Sequence, residues 1–446
     1  MKTTSFLHEA RLTILLAVPM MAGQVSQMLM NVADTVMVGR VGVLPLAAAS
    51  LASVILTIFF VIGLGFQIPV SILTSQAHGG GHSDEPGKIL RHGLFIATSI
   101  GIAVACLVTA LSFFLSHFGQ EPGVVRLAIP FLRIVAWSLV PAMIEQCLKQ
   151  FSEALHRPWL PMLIMLSAVG LNVFLNWIFI YGNWGAPALG LTGAGLGTFT
   201  ARIVSVGVLL ACILRGQFYQ SALPKRWFAK LDATRLLVMA RLGAPLSLSL
   251  LLEVAAFGCA AIMMGWISAR TLASHQIAIN CAATTFMFPL GLSFAARIRI
   301  GHTVGSGQTE RLRTIGLSTM AIGTLVMTTF ALIYLAFGNV VAGWFVKEPD
   351  VIAMASALLS IAGIFQIFDG IQVIAGGCLN GLSDVRVPTL TAFVAYWLIA
   401  LPLAWYLGFT RHWGGPGIWT ALAVGLGLAA LFALSRFLFL TRRVRA

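Results

Sequence analysis

"LLLEVAAFGCAAIMMGWI", residues Leu250–Ile267, is apolar enough and long enough to cross a lipid bilayer as a helix, yet its fourth residue is Glu253. Whether the run is a membrane span is decided by the rest of the chain. The 446 residues are 59% hydrophobic and 9% charged, against roughly 25% charged in soluble domains. About twelve apolar runs of about 20 residues recur, each able to cross a ~30 Å hydrocarbon layer. They lie near 12–36, 46–73, 92–116, 127–150, 159–181 and 192–214, then 244–267, 272–296, 315–341, 353–379, 388–408 and 415–440. A closed β-barrel is the other spanning structure, but its strands alternate in polarity and these runs do not. The expected fold is an all-α polytopic membrane protein of about twelve transmembrane helices.

Basic residues give the orientation, because cytoplasmic loops carry the excess of Lys and Arg. Of the 28, 21 fall in alternate segments, at Lys88–Arg91, Lys149–Arg157, Arg215–Arg241, Arg297–Arg313, Arg386 and Arg436–Arg445, with Lys2 and Arg11 ahead of the first run, against six in the opposite loops and Arg202 within a run. Both termini are therefore expected in the cytoplasm. The first run lacks a small-residue cleavage site and is too long for a signal-peptide core, so it stays as a helix. The formal charge of +14 is accounted for by topology and anionic lipids, and no nucleic-acid partner is expected. The six cysteines stand singly in apolar runs, with no spacing that suggests a zinc site or disulfide framework.

The chain also resembles itself. At an offset of 226 residues Pro19 falls on Pro245, Gly39 on Gly265, Gly65 on Gly291, Gly79 on Gly305 and Gly81 on Gly307. Glycine and proline fix backbone shape, so both halves should bend and turn alike. The expectation is two pseudo-symmetric six-helix bundles with a central cavity, at 1–215 and 242–446, joined by a basic linker at 216–241. Each half has an even number of helices, so both run the same way across the membrane, as in many transporters.

Asp34, Glu145, Glu253 and Asp369 fall inside apolar runs. A carboxylate there costs roughly 2.5 to 3.5 kcal/mol on insertion scales, which makes it a functional candidate. Glu253 and Asp369, in one half, would repel if both were ionised, unless a proton or another cation joined them. Asp34 has Asn172 and Asn176 as amide partners, one helical turn apart on one face. Gln366 and Gln372 flank Asp369 and could ligand a cation or orient the carboxylate, or equally join helices. In the repeat Glu253 aligns with Gln27, and Asp34 with Ala260, so the halves share shape but not charge. No arginine is expected at the depth of these acids. Glu145 is assigned a structural ion pair with Lys149 at i+4.

No metalloprotease, P-loop or nucleophile-elbow motif occurs, and no catalytic residue is nominated. "HGGGH", His78–His82, reads as a turn because its glycines recur as Gly305 and Gly307.

These residues resemble the multidrug and toxic compound extrusion (MATE) family, in its bacterial NorM-like branch. The likeness covers nearly the whole chain and rests on "NVADTVMVG" around Asp34, "LLLEVAAFG" around Glu253 and "FQIFDGIQ" around Asp369. "LNVFLNWIFIYG", "EALHRP" and "NGLSDVRVP" add to it. The resemblance implies a V-shaped inner-membrane antiporter that expels amphipathic organic cations and drugs against inward H⁺ or Na⁺. It also implies cation sites at Glu253 and Asp369 in one lobe and at Asp34, Asn172 and Asn176 in the other. A coupling Na⁺ at Glu253 and Asp369 is the one metal ion it would bring, and no cofactor. Many NorM-like members carry a tyrosine where this chain has Phe365. The ring remains for a cation–π contact, whereas an oxygen-rich Na⁺ site loses a hydroxyl. Small-molecule cations and membrane lipids are the expected partners, of a monomer. Rival functions are a flippase for lipid-linked precursors, a membrane-embedded enzyme and a channel. A flippase for pyrophosphate should line its cavity with Arg and Lys, yet only Arg202 lies in an apolar run.

Overall fold

The computed structural model describes residues 5–443; Lys2 and Arg445, used above for orientation, lie outside them. Twelve helices are long and apolar enough to cross a membrane, and no strand occurs among the described residues. The first six are α1 (Phe6–Gly39), α2 (Val43–Gly79), α3 (Glu85–Ser112), α4 (Pro122–Ala154), α5 (Trp159–Tyr181) and α6 (Leu191–Arg215). The second six are α7 (Ala233–Ile267), α8 (Ala269–Gly305), α9 (Leu312–Gly343), α10 (Pro349–Gly381), α11 (Arg386–Thr410) and α12 (Gly414–Arg443). Several extend one to three turns beyond the apolar runs, because polar residues at their ends continue the same backbone hydrogen bonding. Helix α11 is wound as π-helix over Phe393–Ala400 and again over Tyr406–Thr410.

The chain divides into two compact units, Ala22–Ser247 and Met1–Met21 with Leu248–Ala446. This differs from the division expected from sequence, at 1–215, 216–241 and 242–446, in three places. The first part of α1 belongs with the second half of the chain, the first part of α7 belongs with the first half, and the basic linker is part of a unit. The repeat explains the exchange. Pro19 and Pro245 each remove a backbone donor just ahead of the two boundaries. Gly291 of α8 then has no Cβ to hold off the backbone of Met21, and Gly65 of α2 none to hold off that of Ser247. Small residues at helix interfaces allow such close approach. Ser247 also donates its hydroxyl to the Ile62 carbonyl at 2.7 Å.

In the Ala22–Ser247 unit, α4 packs against α2, α3 and α6, and α6 against α5. In the other unit its counterpart, α10, packs against α8, α9 and α12. Residues of α4 and α10 are consequently buried on several sides, which is how polar groups such as Gln146, Gln150, Gln366 and Asp369 come to be enclosed. The basic linker is held to the start of α3. Arg235 pairs with Glu85 at 2.7 Å, Lys225 with Asp84 at 2.9 Å, and Arg91 donates to the Arg226 and Lys230 carbonyls. Tyr219 in this stretch shares a 2.6 Å hydrogen bond with Ser152, and burial pushes its hydroxyl above the usual phenol range. The turns after α2 and α8 match as expected, with φ of +72° at Gly81 and +69° at Gly307, values that glycine adopts without strain.

Candidate functional site

Each unit holds a carboxylate cluster inside its spanning helices. In the Ala22–Ser247 unit the cluster joins α1, α5 and α6. Asn176 donates Nδ2 to Asp34 Oδ1 at 2.5 Å, and Thr198 donates Oγ1 to Asp34 Oδ2 at 3.2 Å. Asn172 donates to Thr198 at 3.3 Å and accepts from Asn176 at 3.3 Å. Asn172 and Asn176 are fully buried, so their amides have no solvent alternative and are fixed by this network. Helix α6 comes close enough because "GAGLG" places Gly193 and Gly197 one turn apart, the close-packing spacing of membrane helices. A methyl group at 193 would strike the Phe179 carbonyl, and one at 197 would overlap the Asn176 amide oxygen. A cavity of about 320 Å³ opens beside Asp34, lined also by Asn31, Thr198 and Arg202.

Asp34, Asn172 and Asn176 were expected together, and the structure brings them together. Thr198 was missed: a threonine in an apolar helix looks like a helix-capping or packing residue until α5 is placed beside it. Two expectations about charge are corrected. Arg202 stands at the depth of these acids and attracts both Asp34 and Glu145, because Thr198 and Arg202 share one face of α6 at i and i+4. Glu145 forms no ion pair with Lys149; it accepts from Ser205 Oγ at 2.5 Å, while Lys149 donates to Gln24 at 2.7 Å.

In the other unit the cluster joins α7, α10 and α11. Asp369 is 8% exposed, and its Oδ1 has no hydrogen-bond partner. Glu253 and Asp369 are near enough to act on each other electrostatically, and both act on the Tyr396 hydroxyl. No Lys or Arg among the described residues forms an ion pair with either. Gln372 faces Glu253 and accepts from Tyr396 Oη at 2.9 Å. Trp397, the next residue, donates to the Leu252 carbonyl at 3.1 Å, one residue before Glu253. Both aromatic contacts come from the π-wound part of α11, a winding often found at functional sites.

The remaining nominees divide. Gln372 joins the acids. Gln366 turns to α8, where its Oε1 accepts from Thr285 at 2.9 Å. Phe365 is 2% exposed, its ring 5.4 Å from that of Trp419 within the apolar core, so here it packs rather than faces a cation. Tyr396 and Trp397 were missed, since nothing in the sequence relates α11 to α7.

A carboxylate pair that is buried at Asp369 and half-buried at Glu253, with no Lys or Arg ion pair among the described residues and with one oxygen lacking any donor, suits a proton or small cation better than a neutral ligand. Asn176 Oδ1, buried and likewise without a donor, adds an acceptor beside Asp34. The molecule is thus a polytopic helical membrane protein with a carboxylate cluster in each of two repeated units. It belongs to the MATE family: the MatE family model matches residues 19–178 and again 245–406, beginning at the two aligned prolines. A probable multidrug resistance protein NorM of Bradyrhizobium diazoefficiens is 34% identical, over 97% of this chain and 94% of its own. Multidrug resistance protein MdtK of Yersinia pseudotuberculosis is 30% identical, over 99% and 98%. Among solved structures, an outward-facing multidrug resistance MATE family transporter of the MOP superfamily matches with a TM-score of 0.89 at 19% identity, covering 100% of both chains.

Proposed function

We propose that this protein is a multidrug efflux antiporter that exports amphipathic organic cations in exchange for inward H⁺ or Na⁺. The observation that carries this reading is the Glu253–Asp369 pair, set among the spanning helices of its unit with no Lys or Arg ion pair among the described residues and with Asp369 Oδ1 unpaired. When both carboxylates are ionised, the pair attracts a lipophilic cation that arrives from the cytoplasm or inner leaflet. When H⁺ or Na⁺ enters from outside, it neutralises the pair, and the organic cation leaves. Gln372, held by Tyr396, orients Glu253 in both states. A coupling of about 1 to 3 kcal/mol between the two ligands changes drug affinity roughly 5- to 150-fold, which suffices for exchange. Access to the two sides of the membrane alternates between these states. The names of the NorM and MdtK relatives support drugs as cargo, and the absence of catalytic motifs supports transport rather than an enzymatic reaction. We place the protein in the bacterial inner membrane as a monomer, with both termini in the cytoplasm.

The test is efflux of a cationic dye from proteoliposomes under a proton gradient alone and a sodium gradient alone. The wild-type protein is expected to respond to one of them. Glu253→Gln and Asp369→Asn are each expected to lose at least tenfold of that rate. Wild-type rates in both variants would reject the assignment.

A further inference from the structure

In the Ala22–Ser247 unit a second, smaller cavity lies next to the one at Asp34, with room for about 30 Å³ of water-sized contents. Glu145 lines it, and the two cavities share Gln27, Phe60 and Arg202 as walls. Arg202 thus borders both, with Asp34 in one and Glu145 in the other. It attracts both carboxylates but forms an ion pair with neither within 4.0 Å; its Nη1 donates instead to the neutral Ser138 hydroxyl at 2.7 Å. Glu145 is held on its own side by Ser205. The one other charged side chain that acts on either acid among the described residues is Lys149, of the same helix as Glu145, and its Nζ is engaged with Gln24.

On the walls of the two cavities two half-buried acids share one guanidinium, so one negative charge there is unmatched when all three are ionised. A guanidinium on a long flexible stem can follow that charge, because the gain from moving toward the ionised acid is large where water is scarce. Glu145 would have no such purpose as a simple strut: a hydroxyl partner satisfies one of its oxygens, but nothing in a purely structural role requires an ionisable group beside a cavity.

We propose that Glu145 and Arg202 extend the Asp34 site: Arg202 is an internal cation for which Asp34 and Glu145 compete, and Glu145 takes it when Asp34 binds the coupling ion. The inference rests on the reading of Asp34 as a coupling site. It makes Arg202 a positioning residue, which opens Asp34 to the ion by leaving it and displaces the ion by returning.

The experiment measures ethidium efflux from proteoliposomes, titrating Na⁺ at fixed pH and, separately, pH without Na⁺, to obtain the ion concentration at half-maximal rate. Arg202→Gln removes the competitor, so the half-saturating ion concentration falls, by on the order of tenfold. Glu145→Gln leaves Asp34 as the sole partner of Arg202, so that concentration rises by a similar factor. The double variant, which removes both charges together and leaves no buried charge unpaired between them, follows Arg202→Gln. Arg202→Lys keeps the charge and stays near the wild-type value. Shifts of opposite sign in the two single variants are what a merely structural role would not produce. Unchanged half-saturation in both, or shifts of the same sign, overturns the proposal while Asp34→Asn remains inactive. Full coupled transport by Asp34→Asn overturns it together with the reading of Asp34 on which it depends. Should either single variant fail to fold, the double variant decides alone, since a half-saturation at or above the wild-type value contradicts the competition.

Discussion

Single residues in this protein answer to the low polarity around them. The Tyr396 hydroxyl has Gln372 as its acceptor at 2.9 Å, and Gln372 in turn faces Glu253. Removing that donor with Tyr396→Phe is expected to cost about 1 kcal/mol of stability, the net worth of one hydrogen bond, and to lower coupled efflux while expression stays normal. Melting in detergent and dye efflux, measured side by side, check it; unaltered efflux would remove Tyr396 from the site. Gly197 is a sharper case, because a methyl group there overlaps the Asn176 amide that holds Asp34. Gly197→Ala should destabilise by about 1 to 3 kcal/mol, as overpacking does, and impair transport more than Gly207→Ala, whose added Cβ meets open space. Equal activity in the two variants would show that the contact is not tight. Asp34, Asn172, Asn176, Glu253 and Asp369 were legible in the sequence, since a carboxylate or paired amides in an apolar run announce themselves. Thr198, Tyr396 and Trp397 were not, because hydroxyl and indole groups suit a membrane helix for many reasons, and only the neighbouring helix shows which one applies.

Helices carry the next level of information. The repeat at 226 residues was visible as matched glycines and prolines, but its meaning lay in which helices meet. Gly65 and Gly291 are matched because each receives the backbone of a helix from the other half of the sequence. Sequence order alone assigns α1 whole to one lobe and α7 whole to the other, and so misses the exchange. The first part of α1 is also fastened by charge. Glu9 is fully buried and paired with Arg299 and Arg311, and Arg299 donates to Thr13 as well. Glu9→Gln leaves two guanidinium groups short of a partner, at a cost of about 3 to 5 kcal/mol. The melting temperature in detergent should fall markedly, and cross-linking of cysteines placed on α1 and α8 should weaken. A variant as stable as the wild type would show the pair to be incidental. The same logic corrects Glu145: the i+4 spacing to Lys149 predicts an ion pair on an isolated helix, whereas in a packed unit Ser205 on α6 claims the carboxylate.

At the scale of the molecule, two units built on one backbone plan carry different chemistry. The Asp34 cluster is rich in amide and hydroxyl donors and has an arginine near it, while among the described residues the Glu253–Asp369 pair has an ion pair with neither arginine nor lysine. Shape was the legible part, since backbone plan depends on glycine, proline and apolar length, which repeat. Charge placement was partly legible, since the acids themselves stand out but their helix-to-helix neighbours do not. The account makes the coupling ion and the organic cation rivals for the same carboxylates. The most direct test is the affinity of the purified protein for tetraphenylphosphonium, measured calorimetrically while Na⁺ and, separately, H⁺ are raised. In the wild-type protein the apparent Kd should climb in proportion to one of these ions once it exceeds its own dissociation constant, and in the Glu253→Gln/Asp369→Asn double variant it should be weak and independent of both. An affinity in the wild-type protein that neither ion alters would contradict the account.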